Sequence, residues 1–407
     1  MDLLSEAKRC LKCKKARCQI NCPISTPIPD IITLFQEGKN SDAGELLFEN
    51  NPLSSICALV CPHESQCLGN CIRGIKSEPI PFYQMEAVIS SDYLKSLKIQ
   101  KPEPNGKRIA IIGSGPAGIT VALKLATKGY KITIFEMNEQ IGGALKYAIP
   151  NFRLPAELLN NLEKMLTDLG VFIRTNTMVG PIITLDKLLS DGYDAVFIGT
   201  GVWNPRPLNI KGESLGHALY AIDYLKAPHT YNLTGRVCVI GAGDVAMDAA
   251  RCAKRYGADE VEIVYRRKEE EMPATKHEIK GAKDDGIIFN LNKMPIEITD
   301  DGLIVQSTHY IEEADGTQSL ETIAGSDQLL EYDYVIIAVS QIPKSNIVSH
   351  TTGLQVKYGL IVTDKCGNTT REGVFASGDV VSGAKTVVKA VNGAKIVADS
   401  IDEYCMG

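Results

Sequence analysis

The sequence predicts two doubly wound α/β domains, each a parallel sheet with helices on both faces, behind a mainly α-helical N-terminal segment. Three observations predict this. A strand–glycine turn–helix–strand unit occurs at 108–136 and again at 236–267; eight of the twelve cysteines fall within the first 71 residues; and a polar Pro/Gly stretch, KPEPNGK (101–107), separates the cysteine-rich part from the rest. Two copies of one β-α-β unit call for two such domains.

The length of 407 residues accommodates two or three domains at roughly 150 residues each. A net charge of −6 gives no reason to expect nucleic acid or an anionic membrane as partner. The longest apolar runs, such as 109–112 and 335–339, are of strand length, whereas a membrane-spanning helix needs about 20 apolar residues. The opening MDLLSEAKRC lacks the apolar stretch of a signal peptide. A cytoplasmic location without membrane attachment is expected.

Residues 1–100 are rich in Cys and Pro, with short apolar periodicities such as Ile28, Ile31, Ile32 and Phe35. They read as short helices and loops wrapped around something other than a large core. RIAIIG (108–113) has the pattern of a buried parallel strand, 116–128 of an amphipathic helix, and KITIFE (131–136) of a second strand. The order recurs as RVCVIG (236–241), a helix through 244–256, and EVEIVYRR (260–267).

GSGPAG (113–118) joins the first strand to its helix. Gly113 permits the tight turn, Gly115 lets backbone approach a pyrophosphate, and Gly118 lets helix and strand pack closely, so that the helix N-terminus faces the phosphates. Glu136, ending the next strand, is in position to accept hydrogen bonds from a ribose. Near the C-terminus, GVFASGDV (373–380) is a strand followed by Gly378–Asp379, then a helix from about Thr386. With the glycine-containing IGGALKYAIPNFRLP (141–155), this resembles the flavoproteins with two dinucleotide-binding domains. The resemblance implies FAD, with Asp379 at the ribityl chain and the following helix aimed at the flavin ring. It also implies a discontinuous FAD domain (105–225 plus 340–407) into which a nicotinamide-nucleotide domain (226–339) is inserted, with DAVFIGTG (194–201) and DYVIIAVSQIP (333–343) as connections.

The second turn, GAGDVA (241–246), has the G-x-G-x-x-A form, and its following strand ends in Arg266–Arg267 rather than a carboxylate. An arginine there suits a ribose 2′-phosphate, so NADPH is expected over NADH; the alternative is a solvated strand end. Hydride transfer from nicotinamide to flavin needs no protein acid or base, so no catalytic side chain is nominated. His63, His217, His229, His277 and His309 show no partner pattern.

Cytoplasmic cysteines are rarely disulfide-bonded, which favours a metal or redox reading of the cluster. Cys10-x2-Cys13-x4-Cys18-x3-Cys22-Pro23 has ferredoxin-like spacing, and Cys61-Pro62-x4-Cys67-x3-Cys71 follows it. Two 4Fe–4S clusters are expected. Structural zinc, which usually pairs two short Cys knuckles, fits the spacing poorly. No redox disulfide is available to a flavin: the stretch after IGG has no cysteine, and Cys238 and Cys252 are fourteen apart. The N-terminal cysteines are therefore the expected electron exit. Cys238 reads as core, and Cys252, Cys366 and Cys405 are unassigned.

ARCQINCP, NPLSSICALVCPHESQCLGNC, GSGPAG, IPNFRLP, GAGDVAMDAARCAKRYGADEVEIVYRR and GDVVSGAKTVVKAVN together resemble the glutamate synthase small-subunit family, and most closely the NAD(P)H-oxidising portion of dihydropyrimidine dehydrogenase, over essentially the whole chain. The resemblance implies that Cys10, Cys13, Cys18 and Cys71 hold one cluster, and that Cys22, Cys61 and Cys67 hold the other with a non-cysteine ligand: Gln in dihydropyrimidine dehydrogenases, Glu in glutamate synthase small subunits. Counting from Pro79 gives Glu86, with Gln84 two residues away as the alternative; Cys57 matches a cysteine that is not a ligand. Implied flavin-site residues are Gly113, Gly115, Pro116, Ala117, Gly118, Ile119, Glu136, Gly142, Gly143, Ala144, Arg153, Gly378, Asp379, Thr386, Val387 and Val388. Implied nucleotide-site residues are Gly241, Ala242, Gly243, Asp244, Val245, Arg266 and Arg267. Because no barrel or amidotransferase domain follows the last helix, the chain is expected to be one subunit of a hetero-oligomer. Its expected role is electron input to an FMN-containing dihydropyrimidine dehydrogenase subunit, alternatively to a glutamate synthase large subunit or a ferredoxin-like acceptor. A nucleotide-binding redox sensor is the non-enzyme alternative.

Overall fold

The computed structural model describes residues 2–97, 99–312 and 317–407. They form two units: 1–146, 151–202 and 343–407 make the first, and 147–150 with 203–342 make the second.

The first unit begins with short helices. Asp2 starts Leu3–Lys8 by accepting from the backbone N–H groups of Leu4 and Ser5, which satisfies two donors that a helix start leaves open. The expected Ile periodicity falls on Ile28–Gln36. Ile28, Ile31 and Ile32 are at most 2% exposed and pack with Leu47, Met85 and Ile89 from Asn40–Asn50 and Phe82–Ser96, whereas Phe35 is only partly buried. Each fully buried isoleucine contributes on the order of 1.5–3 kcal/mol.

Beyond this segment lies a five-stranded parallel sheet in the order Val374–Ala376, Ala195–Ile198, Arg108–Ile112, Lys131–Phe135, Phe172–Arg174. Ile109 pairs with Ile132 on one side and Ala195 on the other. Residues 109–112 are at most 3% exposed, as a strand covered on both faces requires. The helix Pro116–Ala126 packs along Val387–Met406. Lys124 pairs with Asp399 at 2.8 Å, and the Tyr130 hydroxyl donates to Asp402 at 2.7 Å.

In the second unit the parallel sheet runs Ala218–Tyr220, Tyr334–Ile337, Arg236–Ile240, Glu260–Tyr265, Ile288–Leu291, and Asp244–Arg255 is the helix after its glycine turn. The segment 194–201 thus supplies a strand to the first sheet and 333–343 one to the second. An antiparallel layer of Lys293–Thr299, Gly302–Glu312, Gln318–Thr322 and Gln328–Glu331 was not expected. Its signal is the Asp300–Asp301–Gly302 turn between two runs of strand-forming residues. The predicted fold class, two doubly wound sheets behind a helical N-terminal segment, is the one observed.

Both sheets depend on close backbone approach at the glycine turns. A Cβ on Gly118 would stand 2.0 Å from the carbonyl oxygen of Gly113. Gly118→Ala is therefore expected to lower the unfolding free energy by about 1–3 kcal/mol, the usual cost of overpacking, as read by urea denaturation; wild-type stability in that variant would show that the approach is not required.

Candidate functional site

The first glycine turn is the starting point. Gly113 has φ +94°, and a Cβ on it would stand 2.7 Å from the oxygen of Gly199. At Gly115 an added Cβ would meet nothing within 4 Å, so space lies open where the helix Pro116–Ala126 presents its first N–H groups. Glu136 is buried beside the turn. One of its carboxylate oxygens accepts from the N–H and hydroxyl of Ser114 at 3.0 and 2.6 Å, the other from the N–H and amide of Asn138 at 2.8 and 2.9 Å. Those four bonds use the whole accepting capacity of a carboxylate, so a ribose diol would have to replace a side-chain donor to bond here. Ser114 was missed in the sequence, whereas Asn138 falls within the stretch from Glu136 to Ala144 that the resemblance implies for the flavin site. The N–H of Gly142 donates to the oxygen of Ser114 at 3.0 Å, and Gly143 lies against Gly115. The residues 113–119, 136 and 142–144 thus come together. Arg153 lies half-buried in the 151–154 turn.

The Gly–Asp segment also meets this turn. Gly378 has φ +80°, and its Cα hydrogens face Ala117 so closely that a Cβ would stand 3.1 Å from the Ala117 Cβ. Burial pushes the Asp379 carboxyl up to about 6, against a 3.1 Å bond from the N–H of Lys385. On either side of Asp379, the hydroxyls of Ser377 and Thr386 are buried without a hydrogen-bond partner among the described residues. Buried hydroxyls left unpaired cost free energy. Together with the open side of Gly115 they fit a polar, elongated ligand such as FAD, lying from the glycine turn to the start of Val387–Met406.

In the second unit, Gly241 to Val245 lead into Asp244–Arg255, where the Asp244 carboxylate accepts from the N–H of Thr275 at 2.9 Å and the oxygen of Ala242 from that of Ala274 at 3.1 Å. Arg266 is exposed, and its side chain makes no hydrogen bond or ion pair among the described residues. Arg267 lies 3.8 Å from Glu271, with its Nε buried and unpartnered. Tyr310, which donates to Glu271, has the Lys268 ammonium 5.0 Å from its ring centre. Arg266 is thus, among the described residues, a cation left uncommitted at this strand end.

The eight N-terminal cysteines divide in space. Burial raises the Cys10 thiol, and the nearby Cys71 and Cys13 add to the effect; burial pushes Cys18 up to about 11, with Cys71 and Cys10 adding again. The N–H of Ile80 donates to the sulfur of Cys71 at 3.5 Å. Cys22, Cys61, Cys67 and Glu86 line a separate small cavity, along with Thr26, Cys57, His63 and Val388. Cys67, raised by burial and by Glu86 and Cys22, also feels Cys18, so the two groups adjoin. Glu86 is 7% exposed, and burial holds its carboxyl well above the usual carboxylate range. Gln84 does not reach the cavity; its amide donates to the Tyr83 hydroxyl at 3.1 Å. Cys57, expected to be no ligand, is buried in the cavity wall and hydrogen-bonded to Cys61, whose thiol that bond and burial push far up.

Among the described residues, no three His, Cys, Asp or Glu side chains converge as ligands of a single ion must. An iron–sulfur cubane spreads its thiolates over four irons, and the donors here are mainly thiols, the soft ligands such clusters take, with one carboxylate in the second group.

The sequence matches the family described as pyridine nucleotide-disulphide oxidoreductase over residues 107–394, and that described as dihydropyrimidine dehydrogenase domain II, 4Fe-4S cluster, over residues 1–97. It is 32% identical to the glutamate synthase [NADPH] small chain of Escherichia coli (strain K12), across 98% of this chain and 90% of that one. The chain belongs to the glutamate synthase small-chain family. It is accordingly an NAD(P)H-dependent FAD and iron–sulfur oxidoreductase. It is also 31% identical to the NADP(+)-dependent formate dehydrogenase subunit beta of Moorella thermoacetica, over 96% of this chain and 60% of that protein. The fold is similar to that of Mycobacterium tuberculosis FprA in complex with NADPH, with a TM-score of 0.62 at 19% identity, over 74% of this chain and 85% of the other. Despite the disulphide in one family's description, all twelve cysteines here are free thiols.

The cavity assigns different outcomes to two neighbouring residues. Glu86→Ala is expected to lower iron and acid-labile sulfide from about eight to about four per chain while flavin content holds, and Gln84→Ala to leave both unchanged. Iron loss in the Gln84 variant alone would reverse the assignment.

Proposed function

We propose that this chain is a cytoplasmic electron-input subunit that oxidises NADPH at its second unit, holds FAD and two 4Fe–4S clusters in its first, and delivers electrons to a separate catalytic subunit. The observation that carries the reading is the cavity: Cys22, Cys61, Cys67 and Glu86 line it together with Val388, from the first turn of the helix whose start closes the flavin cradle. When bound, FAD accepts a hydride and releases electrons one at a time to iron–sulfur centres. The residues of the chain bind, orient and exclude water. Ser377, Asp379 and Thr386 offer hydrogen bonds along the flavin, and Gly113 to Gly118 present backbone to its pyrophosphate. Arg266 meets the 2′-phosphate. The Cys22 group stands on the flavin side, and the Cys10 group, adjoining it, is the exit. No side chain is assigned an acid or base role.

The partner's class follows from Glu86. In the family pattern a glutamate at the non-cysteine position belongs to glutamate synthase small subunits and a glutamine to dihydropyrimidine dehydrogenases. A buried Glu86 in the cavity favours a glutamate synthase large subunit, ahead of the FMN-containing dihydropyrimidine dehydrogenase subunit that the sequence motifs put first. The match of residues 1–97 to a dihydropyrimidine dehydrogenase domain supports the latter as the second reading. Co-purification followed by mass spectrometry of the bound subunit decides between them.

Two measurements test the chemistry. The reconstituted chain is expected to contain about eight iron and eight sulfide and to reduce an artificial dye with NADPH; stoichiometric zinc without sulfide, or no dye reduction with either nucleotide, would sink the proposal. Arg266→Ala is expected to raise KM for NADPH at least tenfold, the loss of a charge-assisted bond of about 1.5–3 kcal/mol, and to leave KM for NADH nearly unchanged. Equal effects on both nucleotides would remove the phosphate role.

A further inference from the structure

The hydroxyl of Thr26 stands 3.2 Å from the sulfur of Cys22. Thr26 is 3% exposed and lines the same cavity as Glu86 and Cys67. The direction of this contact follows from its neighbours. On the helix Val387–Met406, Lys395 donates to the backbone oxygen of Asn50 and lies 3.4 Å from its side-chain oxygen. An ammonium has only donors to offer, so the atom of the Asn50 amide that faces it is oxygen. That orientation turns the amide nitrogen toward Thr26, 3.3 Å from its hydroxyl oxygen. A hydroxyl has one proton. With its oxygen receiving a bond from Asn50, that proton is left for the Cys22 sulfur. A cluster-bound cysteine is a thiolate, which only accepts, and this gives the same direction. Lys395 lies two turns beyond Val388, on the same helix face, so one stripe of the helix both walls the cavity and orients this line of bonds.

We infer that Thr26 is a positioning residue that raises the reduction potential of the cluster held by Cys22, with Asn50 and Lys395 directing its proton. The inference rests on the reading that Cys22 is a cluster ligand. Hydrogen bonds to cluster sulfurs are among the determinants of cluster potential. They favour the reduced state, in which the sulfurs carry more negative charge, so removing one makes the cluster harder to reduce. In this chain the bond would favour passage of electrons from the flavin side into the cluster.

The test is a redox titration of the full reconstituted chain followed by electron paramagnetic resonance. The signal absent from Glu86→Ala identifies the Cys22 cluster. Thr26→Val keeps the shape of the side chain and removes the donor. It is expected to shift the ratio of reduced to oxidised cluster at fixed potential about fivefold toward oxidised, which is about 40 mV at 59 mV per tenfold for one electron. Thr26→Ser restores most of the wild-type potential. Asn50→Leu, which changes no charge, shifts it in the same direction by less. An unchanged potential in an iron-replete Thr26→Val chain would overturn the inference while leaving the cluster assignment intact. If Thr26→Val does not load its cluster, Asn50→Leu decides, and an unmoved potential there overturns the inference. A wild-type chain without that cluster would overturn the underlying reading as well.

Discussion

Cys61, Cys67 and Glu86 share one cavity, and the proton affinity of each stands well above its ordinary value, through the bond with Cys57 and burial at Cys61 and through burial at Cys67 and Glu86. An anion removed from water costs several kcal/mol unless it is paired. Without a cation these groups are therefore held toward their protonated forms, and a metal that took them as ligands would release those protons. Cluster binding is in this way linked to pH and to folding. The hydrophobic core around them is small, built from residues such as Ile31, Leu47 and Met85. An occupant of the space between these groups would therefore add to what holds the N-terminal helices together.

The flavin cradle works on a different principle. Its donors and acceptors belong largely to backbone and to short side chains fixed by the glycine turns, and Glu136 already holds its full set of bonds through Ser114 and Asn138. Here the ligand replaces hydrogen bonds rather than neutralising charge. The hydroxyls of Ser377 and Thr386, which have no partner among the described residues, would gain bonds outright. At the second glycine turn, by contrast, Arg266 is held in solvent with little preorganisation.

Much of this was legible in the sequence because it is local. A glycine turn between a strand and a helix is specified by a few adjacent residues, and both turns lie where the motifs put them. Cysteine spacing marked the cluster segment for the same reason. The choice between Glu86 and Gln84 was not legible: a count along the chain separates them by only two positions. On the helix Phe82–Ser96 two positions are about 200° of rotation, which sends one side chain into the cavity and the other toward Tyr83. The layer at 293–331 was missed because its strands are half exposed and polar, so their alternation is weak. Cys57 in the cavity wall and the line from Lys395 to Thr26 join residues distant in sequence, and no spacing rule reaches them.

The cavity takes one wall from Cys22 and another from Val388. A ribosome making about 5–20 residues per second needs roughly 20–70 s to travel from one to the other. For much of that interval Cys22 has left the ribosome without the wall that Val388 supplies. The cavity is therefore closed only after the last helix has been made and has folded, and until then the Cys22 side of it stands open.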